Sequence, residues 1–299
     1  MTESIHKTVL FQESIDALCL KPGNVVCDAT FGGGGHSRAI AQIVGPAGHL
    51  IAFDADKGAL DRCSEEMEKY CRFDAVNTNF RHLLRECSLR NISEIDGALF
   101  DLGLSSDQLE ASGRGFTFQR TEPLLMTFSA QPDTETVTAT DIVNNWSEDT
   151  LVLIFSGFGE ERYSKRIAKA IVESRKKLQI QTTTQLVDII RDAIPEYAHK
   201  GKTHFATKVF QALRIAVNDE MDAIREGLDG AFTLLKKGGI LAVISFHSVE
   251  DRVVKEFVMN AKRSKLLEVC TKSPIVPTPE EIRMNKRSRS AKLRVVRKL

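Results

Sequence analysis

A run of four glycines between a short apolar segment and a helical pattern most constrains what this chain can fold into. Val25, Val26 and Cys27 lead into Asp28, the glycines occupy positions 32–35, and a helical pattern follows them. Glycine lets the backbone turn tightly and approach a ligand that a Cβ atom would keep away. The segment therefore predicts a strand–turn–helix cradle for a small nucleotide-like ligand.

Short apolar runs that alternate with helical patterns predict an open, doubly wound sheet. The predicted strands cover residues 24–30, 49–53, 75–77, 97–100 and 240–246, and Val295 with Val296 indicates a further strand. Such short, continuously apolar strands are typical of a parallel sheet whose two faces are both covered by helices. The predicted fold class is α/β with a mostly parallel sheet.

The alternation of strands and helices stops after Asp101. Amphipathic segments over 160–177 and 185–194 predict helices, and Thr140 and Ser147 begin capping-type sequences. Apolar residues recur at three- and four-residue steps from Phe210 to Leu228, which predicts one long helix packing back on the sheet. We therefore expect a discontinuous sheet domain, 1–108 and 208–299, and an inserted helical domain, 109–207.

Composition restricts the class of protein further. The chain is 42% hydrophobic and 27% charged, and no apolar run approaches the ~18 residues of a membrane helix. The N-terminus lacks the basic and apolar regions of a signal peptide, so we expect a cytoplasmic protein without a membrane partner. The six cysteines form no C-x-x-C pair, and no metal site is predicted. The oligomeric state is left open.

Positive charge is concentrated at the end of the chain. Residues 261–299 contain twelve Lys/Arg and three Asp/Glu, whereas the formal net charge of the whole chain is only +1. A basic end on a near-neutral protein indicates contact with a polyanion.

Residues at the predicted strand ends indicate which ligand the cradle holds. Asp28 precedes the glycines, where an acid can orient the turn and approach the cationic methionyl part of S-adenosylmethionine. Asp54 ends the next strand, where a carboxylate can accept hydrogen bonds from both ribose hydroxyls. Gly32 and Gly34 fit the dinucleotide pattern G-x-G-x-x-G, but Ser37 occupies its third glycine position. These residues favour S-adenosylmethionine over a nicotinamide dinucleotide.

Two further strand ends fit the same pocket. Phe80 follows the third predicted strand, where an apolar ring can form a wall for adenine. Asp101 ends the fourth, at the loop that faces the methyl group in amino-methyltransferases.

Several long motifs carry a resemblance to a known family. They are Asp28–Ser37, Asp101–Leu109, Arg114–Phe118, Gly159–Arg162 with Arg166–Ala168, Phe210–Asn218, Ile244–Ser248 with Glu250–Arg252, and Arg287–Arg294. With these motifs in this order, the chain closely resembles the MraW/RsmH family of small-subunit (16S) ribosomal RNA cytosine-N4 methyltransferases. The resemblance implies a Rossmann-like S-adenosylmethionine-dependent methyltransferase fold and a target cytidine in the decoding region. It also implies cofactor contacts at Gly34, Gly35, His36, Asp54, Phe80, Asp101 and Gln108.

The expected reaction assigns hypothetical roles to three residues. Asp101, or a nearby backbone carbonyl, accepts a hydrogen bond from the N4 amino group as charge develops. Phe246 stacks on the cytosine, and His247 contacts it or relays the proton; the alternatives are core packing for Phe246 and a structural hydrogen bond for His247. Methylation at C5 needs a cysteine nucleophile, and none lies near Asp101 or His247 in the sequence.

Basic residues are the candidates for RNA contact. Arg287, Arg289, Lys292 and Arg294 are placed to neutralise phosphates, or alternatively to line the rim of the sheet. In the insert, Arg114, Arg162 and Arg166 close an RNA channel or form ion pairs on helix surfaces.

Three other interpretations stay open. The chain can be a non-catalytic RNA-binding ribosome assembly factor that keeps the fold, or a nicotinamide-dependent oxidoreductase. A DNA amino-methyltransferase is disfavoured because the Pro-Pro-aromatic loop of that class is missing after Asp101.

Overall fold

The structure is a computed structural model that describes residues 8–104, 112–130, 132, 135–201 and 203–299. The contacts between residues divide the chain into two compact units. The first comprises Met1–Ser105 and Met221–Leu299, and the second comprises Ser106–Glu220. The second unit is thus one continuous stretch of sequence between the two stretches that form the first.

The first unit is built around a seven-stranded sheet. Its strands are β1 Val25–Asp28, β2 His49–Asp54, β3 Arg72–Asn77, β4 Ile95–Asp101, β5 Leu235–Ser245, β6 Leu267–Val269 and β7 Lys292–Lys298. They lie in the order β3-β2-β1-β4-β5-β7-β6. The first five in that order run parallel, and β7 is antiparallel to both β5 and β6. The doubly wound, mostly parallel sheet predicted from the sequence is confirmed.

The helices of the described chain complete both units. They are α1 Phe11–Leu18, α2 Gly35–Val44, α3 Lys57–Met67, α4 Leu83–Leu89, α5 Ala139–Asn145, α6 Glu148–Gly157, α7 Ser164–Arg175, α8 Thr183–Ala193, α9 Thr207–Asn218, α10 Glu220–Leu234, α11 Ser248–Arg263 and α12 Pro279–Met284. Short 3₁₀ segments cover Phe80–His82, Glu196–Lys200 and Lys286–Ser290. No helix among the described residues combines the length and the apolar character needed to cross a bilayer.

The strand order brings several strand ends to one edge of the sheet. β1 lies between β2 and β4, so the chain reverses its direction of travel across the sheet at this point. In open parallel sheets, ligands bind beyond the carboxyl ends of the strands at such a switch point. Asp28, Asp54 and Asp101 are the last residues of β1, β2 and β4. The register therefore places all three carboxylates at this edge.

Helix caps organise the second unit. The Thr138 side chain accepts a hydrogen bond from the Asp141 N–H, and the Thr138 N–H donates one in return to the Asp141 carboxylate, which makes a capping box at the start of α5. The cap predicted at Thr140 therefore lies two residues earlier. Ser147 caps α6 as predicted. The second unit contains the expected helices. Among its described residues, the β-structure is limited to one isolated bridge, between Pro123 and Thr182.

The predicted long helix between Phe210 and Leu228 is wrong. Asp219 adopts a left-handed conformation (φ 47°), which ends α9 and separates it from α10. Helix α9 contacts α5 and α6, and its residues group with the second unit. The spacing of apolar residues continues through the break, so the sequence pattern does not reveal it.

A buried carboxylate in α11 holds β7, the last strand in the sequence. Asp251 in α11 accepts hydrogen bonds from Arg294 (2.7 and 3.2 Å) and from Lys292 (3.2 Å), both in β7. Burial alone raises the pKa of Asp251, but the hydrogen bonds and charges of Arg294 and Lys292 outweigh it and leave the pKa below its ordinary value. The ionised carboxylate thus stabilises the folded state.

We expect Asp251→Ala to lower the free energy of unfolding by about 2–4 kcal/mol, because it leaves the Arg294 guanidinium without its carboxylate. Since the pKa of Asp251 is depressed in the folded state, this stabilisation is present at neutral pH and is lost as the pH falls below ~4. Urea unfolding at neutral and acidic pH measures both effects. The matched control is Asp222→Ala, which removes an exposed pair with Arg225 and should change stability by less than about 0.5 kcal/mol. Equal losses for the two variants would contradict this account.

Candidate cofactor-binding and catalytic site

The glycine turn connects β1 to α2 through two residues in the left-handed region. Gly32 has φ 53° and Gly34 has φ 72°, conformations that L side chains rarely adopt. The turn is closed by a hydrogen bond from the Gly34 N–H to the carbonyl of Phe31 (2.9 Å). A Cβ atom on Gly35 would lie 2.0 Å from Thr8 Oγ1. The third and fourth glycines are therefore already required by the packing of the protein itself.

Asp28 fixes the geometry of this turn from beneath. Its side chain is only 1% exposed and accepts hydrogen bonds from the Thr30 N–H (3.1 Å) and from Ser37 Oγ (2.6 Å). Burial raises the pKa of Asp28 to about 6, against the lowering effect of these two hydrogen bonds. The structure thus gives Ser37, the residue that replaces the third glycine, a defined role as a donor to Asp28.

Asp54 connects the end of β2 to the same turn. Its Oδ2 accepts a hydrogen bond from the Gly32 N–H (2.8 Å), and its Oδ1 accepts one from the Asp56 N–H (2.8 Å). Burial raises the pKa of Asp54. Because a carboxylate offers about four acceptor positions, these two bonds leave acceptor capacity for the hydroxyl groups of a ribose.

Asp101 has the most perturbed carboxylate of the described site. Its N–H donates to Thr30 Oγ1 (2.6 Å), which ties the end of β4 to the turn after β1. Its Oδ1 is shielded from solvent and meets no hydrogen-bond donor among the residues that the structure describes. Burial, followed by the charges of Asp28 and Glu250, raises the pKa of Asp101 to about 8. The carboxylate is therefore ready to accept a hydrogen bond or a proton.

His36 lies beside Asp101 at the start of α2. Its Nδ1 is 3.7 Å from Asp101 Oδ2, and its ring stacks on Phe11 with a centroid distance of 5.9 Å. The imidazole is buried. His36 therefore joins the glycine turn, α1 and the Asp101 carboxylate.

The carboxyl end of β5 brings Phe246 and His247 to this edge of the sheet. Phe246 is half-buried, and a Cβ atom on Gly103 would lie 2.8 Å from its ring. His247 caps α11: its Nδ1 accepts a hydrogen bond from the Glu250 N–H (3.3 Å), and its Nε2 lies 3.0 Å from Glu250 Oε1. Nδ1 of His247 is thus held by a structural hydrogen bond in the cap of α11, and Nε2 lies beside the Glu250 carboxylate. The hydrogen bond at Nδ1 matches the structural alternative to a proton relay.

Glu250 belongs to the motif Glu250–Arg252, but the sequence alone predicts no role for it. Its side chain is 1% exposed, and its Oε2 accepts hydrogen bonds from the N–H groups of Phe246 (2.7 Å) and His247 (3.3 Å). The spacing of His247 and Glu250 is that of a capping box, with histidine in place of the usual serine or threonine. This spacing was the signal that could have identified Glu250.

Phe80 follows β3, as predicted. Its ring packs edge-on against Phe100 with a centroid distance of 5.5 Å, and a Cβ atom on Gly227 would lie 2.6 Å from it. The ring is half-buried, so one side can still contact an adenine. Gln108, the remaining candidate cofactor residue, lies outside the described residues.

The candidate RNA-binding residues fall into different environments. Arg114 is 7% exposed and donates to the carbonyls of Thr127 (3.1 Å) and Phe128 (2.5 Å), so the structure places it inside the second unit. Lys292 and Arg294 pair with Asp251, as described above, and line the rim of the sheet. Exposed side chains are found at Arg162, Arg166, Arg287 and Arg289.

The three strand-end carboxylates define what this edge can hold. Burial raises the pKa of both Asp28 and Asp101, and the charge of Asp54 adds to the shift of Asp28 while that of Asp28 adds to the shift of Asp101, because negative charge accumulates where water is excluded. A ligand with positive charge and ribose hydroxyls matches this arrangement, since it supplies the cation and the donors that the carboxylates lack. Together with the sheet order and the glycine turn, this defines a Rossmann-like α/β protein with a site suited to S-adenosylmethionine.

Comparison with known proteins agrees with this class. The chain belongs to the MraW methylase family, whose profile matches residues 3–299. It is 41% identical over 310 aligned positions, covering 98% of each chain, to the ribosomal RNA small subunit methyltransferase H of Brevibacillus brevis. The protein is thus a methyltransferase, and its cofactor is S-adenosylmethionine.

The chain is also similar to solved structures. One is an rRNA methylase from Streptococcus thermophilus, with 13% identity, 98% of each chain covered and a TM-score of 0.46. Another is an S-adenosylmethionine-dependent O-methyltransferase from Thermotoga maritima, with 11% identity, 100% of this chain and 68% of that chain covered, and a TM-score of 0.40.

The raised pKa of Asp101 predicts how the stability of the cofactor-free protein depends on pH. Between the ordinary aspartate value of ~4 and about 8, the folded carboxyl keeps a proton that the unfolded chain has released. Stability therefore falls as the pH rises through this range, and Asp28 contributes in the same direction. We expect Asp101→Asn to flatten the dependence of the melting temperature on pH. An unchanged slope, equal to that of the exposed control Asp61→Asn, would contradict the assignment.

Glu250 is expected to position the Phe246–His247 turn. Glu250→Ala removes the acceptor of both N–H groups, so we expect kcat for methyl transfer to fall about 10- to 100-fold, with the Kd for S-adenosylmethionine changing less than about threefold. Glu250→Gln keeps an acceptor oxygen and should restore most of the rate. Steady-state kinetics and calorimetry measure the two constants, with the exposed Glu256→Ala as control. A matching loss of cofactor affinity would show a general collapse of the site instead.

Proposed function

We propose that this protein transfers a methyl group from S-adenosylmethionine to the exocyclic N4 of a cytidine in the decoding region of 16S ribosomal RNA. The small-subunit ribosomal RNA substrate is supported by the name of the relative from Brevibacillus brevis. The amino-group chemistry is supported by the residues at the carboxyl ends of β4 and β5. The single observation that carries the proposal is the shielded oxygen of Asp101.

The N4 amino group is a weak nucleophile because its lone pair is conjugated with the ring. S-adenosylmethionine, when bound, supplies a methyl group on a good leaving group. The protein must therefore position the amine in line and accept the proton that N4 releases. Asp101 Oδ1 suits this task once the carboxyl is ionised. The pKa of about 8 belongs to the cofactor-free protein, and a bound cation would lower it, so that the carboxylate can accept the proton.

Phe246 is the candidate platform for the base. A cytosine inside a stacked helix cannot reach the carboxyl ends of the strands, so the target nucleotide must be splayed or flipped out. The half-buried ring of Phe246 lies against Gly103, two residues after Asp101. A base stacked on this ring would present its amino edge toward the Asp101 side of the site.

Methylation of the ring carbon is the less suitable chemistry. It needs a cysteine that attacks C6, and the sequence has cysteines only at 19, 27, 63, 71, 87 and 270. Cys63 contacts the glycine turn, with its Sγ 3.9 Å from the Gly33 carbonyl oxygen. It belongs to α3 and not to the strand ends that carry Asp101 and Phe246.

RNA contact is assigned to the exposed arginines. Arg287 and Arg289 lie on the 3₁₀ segment before β7, Arg162 lies two residues before the start of α7, and Arg166 lies in its first turn. Such contacts neutralise phosphates and give affinity that falls with salt rather than choice of sequence.

The deciding experiment is methyl transfer from labelled S-adenosylmethionine to small ribosomal subunits that lack the modification, followed by nucleoside analysis. We expect N4-methylated cytidine. Methylation of another atom would overturn the proposal. Cofactor binding without any transfer, to subunits or to naked 16S RNA, would favour a ribosome assembly factor that keeps the fold.

The proposed roles predict different kinetic effects for two variants. Asp101→Asn keeps the size of the side chain but cannot take up a proton, so we expect kcat to fall about 10²- to 10⁴-fold. Phe246→Leu removes the stacking ring and should mainly raise KM for RNA, by about 5- to 100-fold. Wild-type kinetics in either variant, judged against the Asp61→Asn control, would remove that residue from the mechanism.

A further inference from the structure

Two tyrosines, one half-buried and one exposed, form a hydrogen-bonded pair in the second unit. Tyr163 lies immediately before α7, and Tyr197 lies in the 3₁₀ segment Glu196–Lys200. The Tyr163 hydroxyl donates a hydrogen bond to the Tyr197 hydroxyl (2.9 Å), and Tyr197 is 69% exposed. An exposed aromatic ring offers a flat apolar face and a polar hydroxyl, the combination with which tyrosine takes part in interfaces.

Arginines accompany this pair. The Arg162 guanidinium lies over the Tyr163 ring, 4.7 Å from its centroid. The hydrogen bond to Tyr197 raises the pKa of Tyr163, whereas the charges of Arg162 and Arg166 act in the opposite direction. Arg166 lies in the first turn of α7, three residues after Tyr163, which is the N-cap of this helix. We name Arg162, Tyr163, Arg166 and Tyr197 the tyrosine–arginine surface.

The backbone beneath this surface is firmly held. The Tyr163 N–H donates to Glu161 Oε1 (2.8 Å), and Glu161 is buried. Ile167 and Ala168 in the following turn are fully buried and anchor α7 in the core of the second unit. A preordered surface loses little entropy when a partner binds to it.

We propose that the tyrosine–arginine surface binds unpaired nucleotides of the RNA substrate, with bases stacking on the tyrosine rings and phosphates contacting the arginines. This proposal rests on the proposed function, because that function makes RNA the substrate. Aromatic rings next to arginines are the combination by which proteins hold single-stranded nucleic acid without sequence choice. The surface would hold nucleotides that flank the target and would not take part in the chemistry.

Charge favours RNA over a protein partner. Residues 160–169 contain four Lys/Arg and two Glu, and one of the two, Glu161, is buried beneath the surface. Protein interfaces also use tyrosine and arginine, but their centres are depleted of charge. An excess of exposed cations beside aromatic rings fits a polyanion that also offers flat bases.

The test measures binding of a fluorescent, unstructured RNA oligonucleotide to the full-length protein over a range of salt concentrations. We expect Tyr197→Leu to weaken binding about 5- to 100-fold without changing the salt dependence, and Tyr197→Phe to bind nearly as tightly as the wild type. Arg166→Gln should weaken binding and reduce the slope of log K against log salt by about 0.7. The matched control is Arg191→Gln, since Arg191 is an exposed arginine of the same unit that pairs with Asp188 (2.8 Å).

Two outcomes would overturn the proposal. Unchanged RNA affinity in Tyr197→Leu would exclude stacking. Unchanged affinity for RNA together with lost methylation of whole small subunits would identify a protein contact instead. A different result would contradict the proposed function alone. If RNA binding depends on Tyr197 but no N4-methylcytidine forms, the RNA-binding proposal stands and only the assigned reaction is wrong. Circular dichroism and melting temperature check that each variant is folded.

Discussion

The buried carboxylate of Asp28 is the interaction on which the rest of the site depends. It holds the Thr30 N–H and the Ser37 hydroxyl together, so it sets both the start of the turn and the first turn of α2. Thr30 then accepts the N–H of Asp101, which extends the connection from β1 to β4. A continuous set of hydrogen bonds therefore links the two central strands where the chain changes direction across the sheet.

The cost of this arrangement is accumulated negative charge. Asp28, Asp54 and Asp101 all have raised pKa values because burial disfavours their ionised forms. The cofactor-free protein keeps this charge partly neutralised by protons, and a cationic ligand can replace them. The cofactor-free protein is thus less stable, and the site in return gains affinity for a cationic ligand. Such a compromise is typical of functional sites.

Much of the first unit could be predicted because burial and strand ends leave clear patterns. The apolar runs predicted β1, β2, the end of β3, β4 and β5, and with them the location of the three aspartates, and Val295 with Val296 indicated β7. The three-residue strand β6 was missed because so short a segment has no recognisable periodicity. The ion pairs of Asp251 with Arg294 join residues 43 positions apart, which no local pattern reveals. Arg114 was expected to face RNA because sequence does not distinguish an exposed guanidinium from one that binds buried carbonyls.

The position of β7 has a consequence for how the chain folds. β7 follows β5 and β6 in the sequence but lies between them in the sheet, and β6 pairs with β7 alone among the strands. During synthesis, β5 therefore remains an open edge until residues 292–298 have left the ribosome. Exposed strand edges promote association between chains. Completion of this sheet is thus a late step, and nascent chains that stall before it present a surface for aggregation and for chaperones.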